Sequence, residues 1–191
     1  MNKQLHGVPL AKSYLLLNHG PVTLVTSAAG GRTNVMSAAW AMPLDFDPPK
    51  VLLVVDSQTL TRELVEASGE FALNIPCREL ADKVLAAGSV SGREGDKFVR
   101  TGLEPFAATQ IAVPLIKGCA AWLECRVITE PGNQKRYDLF IAEVVAAWAD
   151  PALFSDGRWH FPEAGRKTIH YQAGGTFFET GEAFEAQETG Q

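Results

Sequence analysis

The chain has 191 residues, 46% of them hydrophobic, and its 17 Lys and Arg against 22 Asp and Glu give a net charge of −5. This hydrophobic fraction excludes a wholly disordered chain, and no apolar run approaches the roughly 18 residues that a membrane-spanning helix needs. Four of the glutamates fall in residues 179–191, which contain no Lys or Arg. Without these four carboxylates the net charge is −1, so the body of the chain offers no basic excess for nucleic acid.

The N-terminal region and the cysteines indicate the compartment. The apolar piece at residues 14–17 is too short for the core of a signal peptide. The three cysteines, which cannot all pair within one chain and fit reduced thiols, are Cys77, Cys119 and Cys125. We therefore expect a cytoplasmic protein without a membrane partner. Residues 1–178 are predicted to form one domain, and residues 179–191 an acidic tail that is either a frayed helix or disordered.

Strands dominate the first predicted elements. The β-branched residues 22–28 predict a strand that ends in a turn at Gly30-Gly31. Residues 33–42 fit a strand or a short helix, and we favour the strand because small residues follow a hairpin turn. Three prolines between positions 43 and 49 then break the chain. The apolar run at residues 51–56 predicts a strand covered on both faces.

Two helices follow. Thr61 is the predicted cap of the first, which ends at Gly69, and residues 70–75 return as a strand. Pro76 opens the second helix, which ends at Gly88. The rest of the chain adds a helical turn, a long hairpin and two short strands. These are predicted at residues 96–100, at 119–130 with 137–148 around a turn at 131–133, and near Thr168 and Thr176. The predicted fold is mainly β, an antiparallel β-barrel with two or three helices packed outside.

The motifs of several enzyme classes are missing from the sequence. There is no GxxxxGK[ST] phosphate loop, no GxGxxG after a strand, no HExxH, no CxxC pair and no GxSxG. The four histidines lack the spacing of metal ligands, so no metal site is predicted. If the chain is an enzyme, a bound cofactor carries its chemistry.

Residues 56–62 lie between a predicted buried strand and a helix, where a phosphate-sized anion fits. Free N–H groups at the start of the helix and the helix dipole favour an anion, and Arg62 adds charge. The alternative is that Thr61 is an ordinary N-cap and that the other hydroxyls are loop residues.

Five short motifs carry a family resemblance through their order and spacing. They are NVMS at 34–37, DFDPP at 45–49, TRELV at 61–65, GEFALNIP at 69–76 and GDKF at 95–98. In this order the chain resembles the flavin reductase-like proteins, FMN-binding split β-barrels that include flavoredoxins and NAD(P)H:flavin oxidoreductases. The likeness covers roughly residues 15–178. It implies an antiparallel FMN-binding split β-barrel and a homodimer, with FMN in a groove near the subunit interface.

The resemblance also implies a set of FMN-binding residues. Those that match the strand along the flavin ring are Asn34, Met36, Ser37, Ala38 and Ala39. Those that match the phosphate end are Ser57, Thr59, Thr61 and Arg62, although the family often has a basic residue where Thr59 stands. The remaining matches are Asn74 beside the ribityl chain, Lys97 at the phosphate or the nicotinamide nucleotide, and His170 at the flavin. Each group also has a purely structural alternative. These are a packed strand for residues 34–39, an ordinary helix cap for Thr61, a strand-end residue for Asn74, a surface lysine for Lys97 and a structural histidine for His170.

The resemblance implies an FMN-dependent oxidoreductase. NAD(P)H would reduce the flavin, which would pass electrons to a small-molecule or protein acceptor. No side chain is assigned as catalytic, because the protein's task would be to place two rings in contact and to stabilise charge that develops on the flavin. A flavoredoxin-like electron-transfer protein without direct NAD(P)H oxidation, and a non-catalytic flavin-binding protein, are the alternatives. The acceptor and the choice between NADH and NADPH stay open.

Overall fold

The computed structural model describes residues 6–16 and 20–187. Strands in these residues are β1 (His6–Gly7), β2 (Thr23–Ala29), β3 (Arg32–Ala38), β4 (Ala41–Phe46), β5 (Pro49–Val54), β6 (Glu70–Ile75), β7 (Pro105–Phe106), β8 (Leu115–Ile116), β9 (Ala121–Ile128), β10 (Leu139–Ala149), β11 (Phe154–Ser155), β12 (Arg158–Trp159), β13 (Ile169–Ala173) and β14 (Thr176–Glu179). The α-helices are α1 (Leu60–Ser68), α2 (Ala81–Ser89), α3 (Lys97–Thr101) and α4 (Pro131–Tyr137). Short 3-10 helices cover Leu10–Leu16, Arg78–Leu80, Gly92–Glu94 and Ala164–Arg166.

One antiparallel sheet forms the body of the protein. Its strand order is β3-β2-β6-β9-β10-β5-β4, and β1 also pairs with β10. Strands from the two ends of this sheet contribute to one apolar cluster. The cluster includes Val25 of β2 and Ala38 of β3 from one end, and Leu53 of β5 from the other. The sheet therefore curls around a shared core. Within the described residues no ladder joins β3 to β4, so the sheet does not close.

The helices α2 and α3 pack outside this sheet, as the sequence predicted, whereas α1 contributes to the shared core. Val65 of α1 joins the first cluster, whereas Val84 of α2 and Phe98 of α3 join a second cluster on the opposite face of β2 and β6. The prediction of a mainly β, antiparallel fold with peripheral helices is confirmed. In residues 6–16 and 20–187, no helix has the length and apolar character needed to cross a bilayer.

The predicted strand at residues 33–42 is two strands in the structure. β3 ends at Ala38 and β4 begins at Ala41, so the chain turns at residues 39–40. Pro43 does not break the chain, because β4 is the edge of the sheet and a proline there need not donate to a neighbour. Alternate residues of β5 are buried and half-buried, so its predicted coverage on both faces is only partial.

Helix boundaries also differ from the prediction. Thr59, not Thr61, caps α1, and its hydroxyl accepts a hydrogen bond from the Arg62 N–H. Gly69 ends α1 in the left-handed conformation, as predicted, at φ 71°. α2 runs through Gly88 to Ser89. The predicted turn between β9 and β10 contains the helix α4, which begins at a proline that fits its first turn.

The two short C-terminal strands form a separate hairpin. Among the described strands, β13 and β14 form a ladder only with each other, and Gly174 and Gly175 supply the left-handed turn at φ 58° and 85°. Ile169 anchors the hairpin in the second apolar cluster. Within the predicted acidic tail, Glu179 belongs to β14 and residues 181–187 carry no regular element. Residues 188–191 lie outside the described chain.

Candidate functional site

A cavity of about 540 Å³ lies between β3, the end of α2 and the hairpin of β13 and β14. Its lining is formed by Val22, Met36, Ser37, Ala38, Ala39, Trp40, Val54, Asp56, Val84, Leu85, Gly88, Ser89, Asp138, Tyr171 and Phe177. The volume falls within the usual range for a small-molecule or cofactor site, and most of these side chains are apolar. The cavity is therefore the candidate binding site.

The end of β3 forms one wall of the cavity. Four of the predicted flavin contacts, Met36, Ser37, Ala38 and Ala39, lie there side by side. The prediction had its physical basis in the small side chains of Ser37, Ala38 and Ala39, which suit the close approach of a flat ring to the backbone. The turn after Ala38 also brings Trp40 to the rim, where it is 73% exposed.

The last turns of α2 form the facing wall. The Ser37 hydroxyl donates a hydrogen bond to the backbone carbonyl of Val84. A Cβ at Gly88 would lie 3.4 Å from the Cβ of Ser37, so the glycine permits a close approach of α2 to β3. Val84, Leu85, Gly88 and Ser89 all face the cavity as a result.

Lys97 lies behind the α2 wall and does not line the cavity. It is 6% exposed, and its Nζ donates a 2.7 Å hydrogen bond to the backbone carbonyl of Ala87. Burial lowers the pKa of this ammonium group, and the neighbouring charge of Arg100 lowers it further. The alternative of an exposed surface lysine is therefore wrong, while its predicted contact with a nucleotide stays a prediction.

The predicted phosphate residues lie around the start of α1. Ser57 is exposed, and the Thr59 hydroxyl donates to the Asp56 carbonyl while it accepts from the Arg62 N–H. Thr61 is fully buried, and its hydroxyl accepts a 2.9 Å hydrogen bond from the side-chain amide of Asn34. This bond ties β3 to α1, but neither partner lines the cavity. The proposed roles of these residues stay predictions.

Arg62 is 5% exposed, and its guanidinium group donates hydrogen bonds to other residues of the chain. Its Nη1 lies 2.9 Å from Asp138 Oδ1 and 3.1 Å from the Val55 carbonyl, and its Nε lies 2.7 Å from Glu66 Oε1. Its carbon Cζ stands 4.9 Å from the centre of the Phe140 ring. The structure therefore does not bring Arg62 to the cavity, because these partners already hold its donors.

Two arginines meet instead beside the first turn of α1. Arg32 Nη1 lies 2.9 Å from Glu63 Oε1, and Arg93 Nη1 lies 2.8 Å from Glu63 Oε2. The hydrogen bond from Arg93 is the main reason why the pKa of the Glu63 carboxyl is below its ordinary value. Both arginines are about half exposed, and this cluster holds two cationic groups around one carboxylate.

Asn74 and His170 are the other two predicted contacts. Asn74 is fully buried, donates to the Leu24 carbonyl at 2.8 Å and accepts from the Ile116 N–H at 2.9 Å. It joins β6 to β2 and to β8, and it does not line the cavity. His170 is half-buried, with Nε2 at 3.4 Å from the Thr180 hydroxyl, and the next residue, Tyr171, faces the cavity.

Several residues that line the cavity were not assigned to the site from the sequence. Tyr171 and Phe177 flank the Gly174-Gly175 turn, and their rings lie 5.3 Å apart. Aromatic residues on both sides of a glycine turn are the sequence feature that could have assigned these two positions to the site. Asp138 had a weaker one, because it ends α4 in the left-handed conformation at φ 55°, where Asp is more common than most residues.

Comparison with known proteins identifies the family. The model of the flavin reductase-like domain matches residues 16–166. The chain belongs to the flavin reductase-like family. The resemblance found in the sequence is therefore confirmed, and the antiparallel fold agrees with it.

Three bacterial proteins are similar to this chain. A crystal structure of an FMN-binding domain of a flavin reductase-like enzyme from Shewanella baltica OS155 is 44% identical, has a TM-score of 0.95, and covers 98% of this chain and 100% of its own. The uncharacterized protein YddH of Escherichia coli strain K12 is 43% identical over 87% of this chain and 89% of its own. The reductase subunit HsaB of a Mycobacterium tuberculosis flavin-dependent monooxygenase is 28% identical over 60% of each chain.

Proposed function

We propose that this protein is an FMN-dependent oxidoreductase that takes electrons from NADH or NADPH and passes them to a small-molecule or protein acceptor. The observation that carries the proposal is the cavity of about 540 Å³ against the end of β3. Its lining of small and apolar residues fits a flat aromatic ring system. When bound, the flavin would supply the chemistry by accepting a hydride and releasing electrons.

The ring of FMN would lie against Ser37, Ala38 and Ala39. The facing wall of α2, with Val84 and Leu85, would keep water from the ring and hold it in one orientation. Orientation of two rings in contact lowers the barrier to hydride transfer, since the entropy of alignment is lost on binding. These residues therefore bind and orient, and none is assigned a covalent or acid–base role.

The phosphate end would lie at the start of α1. The first N–H groups of a helix lack partners within the helix and favour an anion. Ser57 adds an exposed hydroxyl group at this end, and Arg32 and Arg93 add positive charge beside Glu63. The two exposed arginines support an anion here without any contribution from the buried Arg62.

A homodimer is part of the proposal. The outward side of the edge strand β4 and the turn before it carries an apolar row of exposed side chains: Trp40, Met42, Leu44 and Phe46. Trp40 and Phe46 are 73% and 62% exposed, and Trp40 also lines the cavity rim. Apolar rows on an edge strand commonly mark an interface. A second copy of the chain on this row would cover the rim beside the ring.

We place the reaction in the cytoplasm. Cys77, Cys119 and Cys125 are buried and form no disulfide bond, which fits a reducing compartment. The cysteines lie apart from the cavity lining, so the proposal gives them no redox role.

The visible absorbance spectrum tests the proposed function. The purified protein is loaded with FMN, freed of excess, and mixed with NADH or NADPH without oxygen. We expect a retained flavin band that one nucleotide bleaches. A retained band that neither nucleotide bleaches would support the flavoredoxin-like or binding-protein alternative. Absence of retained flavin, together with absence of flavin-dependent nucleotide oxidation, would refute the proposal.

A further inference from the structure

We propose that Lys97 is a positioning residue that holds the α2 wall of the cavity against β3 and thereby sets flavin affinity without touching the flavin. This role rests on the proposed function, since it assumes that flavin binds in the cavity. Lys97 would act on the cavity through α2 and not by direct contact. Its physical basis is a buried ammonium group at the C-terminal end of a helix that lines the site.

The contact of Lys97 is of a kind that stabilises a helix end. The last four carbonyls of a helix lack partners within the helix, and Ala87 is among the last four residues of α2. Lys97 Nζ donates to this carbonyl at 2.7 Å. A cation at the C-terminus also interacts favourably with the helix dipole. In the described chain no carboxylate lies within 4.0 Å of Lys97 Nζ, so the helix end is its identified electrostatic partner.

The segment that Lys97 fastens is the segment that faces the cavity. Val84, Leu85, Gly88 and Ser89 surround Ala87 in sequence and line the cavity, whereas Ala87 itself is fully buried. On its other side the same segment accepts the hydrogen bond from the Ser37 hydroxyl. The C-terminal segment of α2 is therefore held from α3 and from β3 at once, and loss of the Lys97 bond removes the side-chain hydrogen bond that reaches this segment from α3.

The chain contains a matched control for this contact. Lys83 of α2 donates a 2.6 Å hydrogen bond to the carbonyl of Gly102, which ends α3. Lys97 and Lys83 thus join the same two helices in opposite directions by the same kind of bond. Lys83 is not buried, and no residue of α3 lines the cavity. Loss of Lys83 should loosen α3 and leave the cavity wall in place.

The test compares Lys97→Met with Lys83→Met in the full-length chain. We expect Lys97→Met to raise the dissociation constants of FMN and of riboflavin by the same factor, at least tenfold. In the control Lys83→Met, each of these two constants should change less than twofold. Because riboflavin lacks the phosphate, a loss confined to FMN would make Lys97 a phosphate contact and overturn the proposal. Unchanged affinity in Lys97→Met, or an equal loss in Lys83→Met, would overturn it too.

Amide hydrogen exchange of the flavin-free protein gives a second readout. Lys97→Met should speed exchange in residues 84–89, and Lys83→Met should not. Unchanged exchange there would refute the positioning role. This measurement is independent of the proposed function, whose failure would appear as a wild-type protein that binds neither flavin. If Lys97→Met does not fold, Lys97→Gln replaces it: its uncharged N–H group lies one bond closer to the backbone than Lys Nζ, so the bond to Ala87 should weaken, with the same expected and contrary results.

Discussion

The Arg62 guanidinium lies 2.9 Å from the Asp138 carboxylate and joins the first turn of α1 to a residue that lines the cavity. The same guanidinium group donates to the carbonyl of Gln134 at 2.7 Å, near the end of α4. Through these bonds one buried side chain fixes three parts of the structure that lie far apart in sequence. The rim of the cavity at Asp138 therefore depends on Arg62.

Replacement of Arg62 by methionine should lower the free energy of unfolding by about 2 kcal/mol. The variant leaves Asp138 and two backbone carbonyls without a charged donor, and such losses in buried sites lie in this range. Unfolding in urea, followed by circular dichroism, measures the change. Arg93→Met is the control, since its exposed ion pair with Glu63 should contribute little. A wild-type midpoint for Arg62→Met would contradict the structural role.

The Arg62→Met variant also decides the predicted phosphate contact. With the guanidinium group held inside the protein, we expect FMN and riboflavin affinities to change by the same factor. Fluorescence titration of each flavin measures both. A loss confined to FMN would show that Arg62 reaches the phosphate and that its buried placement does not describe the bound state.

The partners of Arg62 could not be predicted from the sequence, because they come from distant parts of the chain. An arginine at a helix start, after a run of hydroxyl residues, is a reasonable anion ligand when only neighbours in sequence are known. Its actual partners include Asp138, which follows more than seventy positions later and reaches it only because β10 pairs with β5. The cavity wall of β3 was predictable, because small consecutive residues and a family motif occur in one segment. The buried Lys97 was not, since its environment depends on how α3 packs on α2.

The same limit applies to the edge of the sheet. The sequence predicts one strand at residues 33–42, but a turn at residues 39–40 divides it into β3 and β4. The two strands have different partners, since β3 pairs with β2 and β4 pairs with β5. Only that pairing exposes Met42, Leu44 and Phe46 on one side. No local pattern distinguishes this exposed row from a buried strand.

The exposed row on β4 should hold the homodimer together. Leu44→Asp with Phe46→Asp places two charges in the apolar contact, and we expect the pair of changes to yield a monomer. Light scattering coupled to size-exclusion chromatography measures the mass. Val99→Asp is the control, because Val99 is 79% exposed on α3 and lies outside this row. A double variant that keeps the wild-type dimer mass would place the interface elsewhere, and a monomeric wild type would refute the dimer itself.

The narrow space between α2 and β3 should not accept a branched side chain. Gly88→Val adds a Cβ 3.4 Å from that of Ser37 and two methyl groups beyond it, so we expect FMN affinity to fall at least tenfold. Equilibrium titration with FMN measures the loss, and circular dichroism checks the fold. Gly132→Val in α4 is the control, since a Cβ there would meet no other part of the described chain within 4 Å beyond its sequence neighbours and its own helix backbone. Wild-type affinity in Gly88→Val would exclude this wall from the flavin site.

The three thiols should be inert in the folded protein. Cys77, Cys119 and Cys125 are at most 1% exposed. Burial raises the pKa of the Cys119 and Cys125 thiols well above their ordinary value. Since the thiolate is the reactive form, raising the pH to about 9 should not expose a reactive group at either position. A chromogenic disulfide reagent should therefore label less than one thiol per chain rapidly in the native state and three in urea. Rapid native labelling that increases with pH would contradict the burial, and a cysteine-to-serine series would identify the thiol responsible.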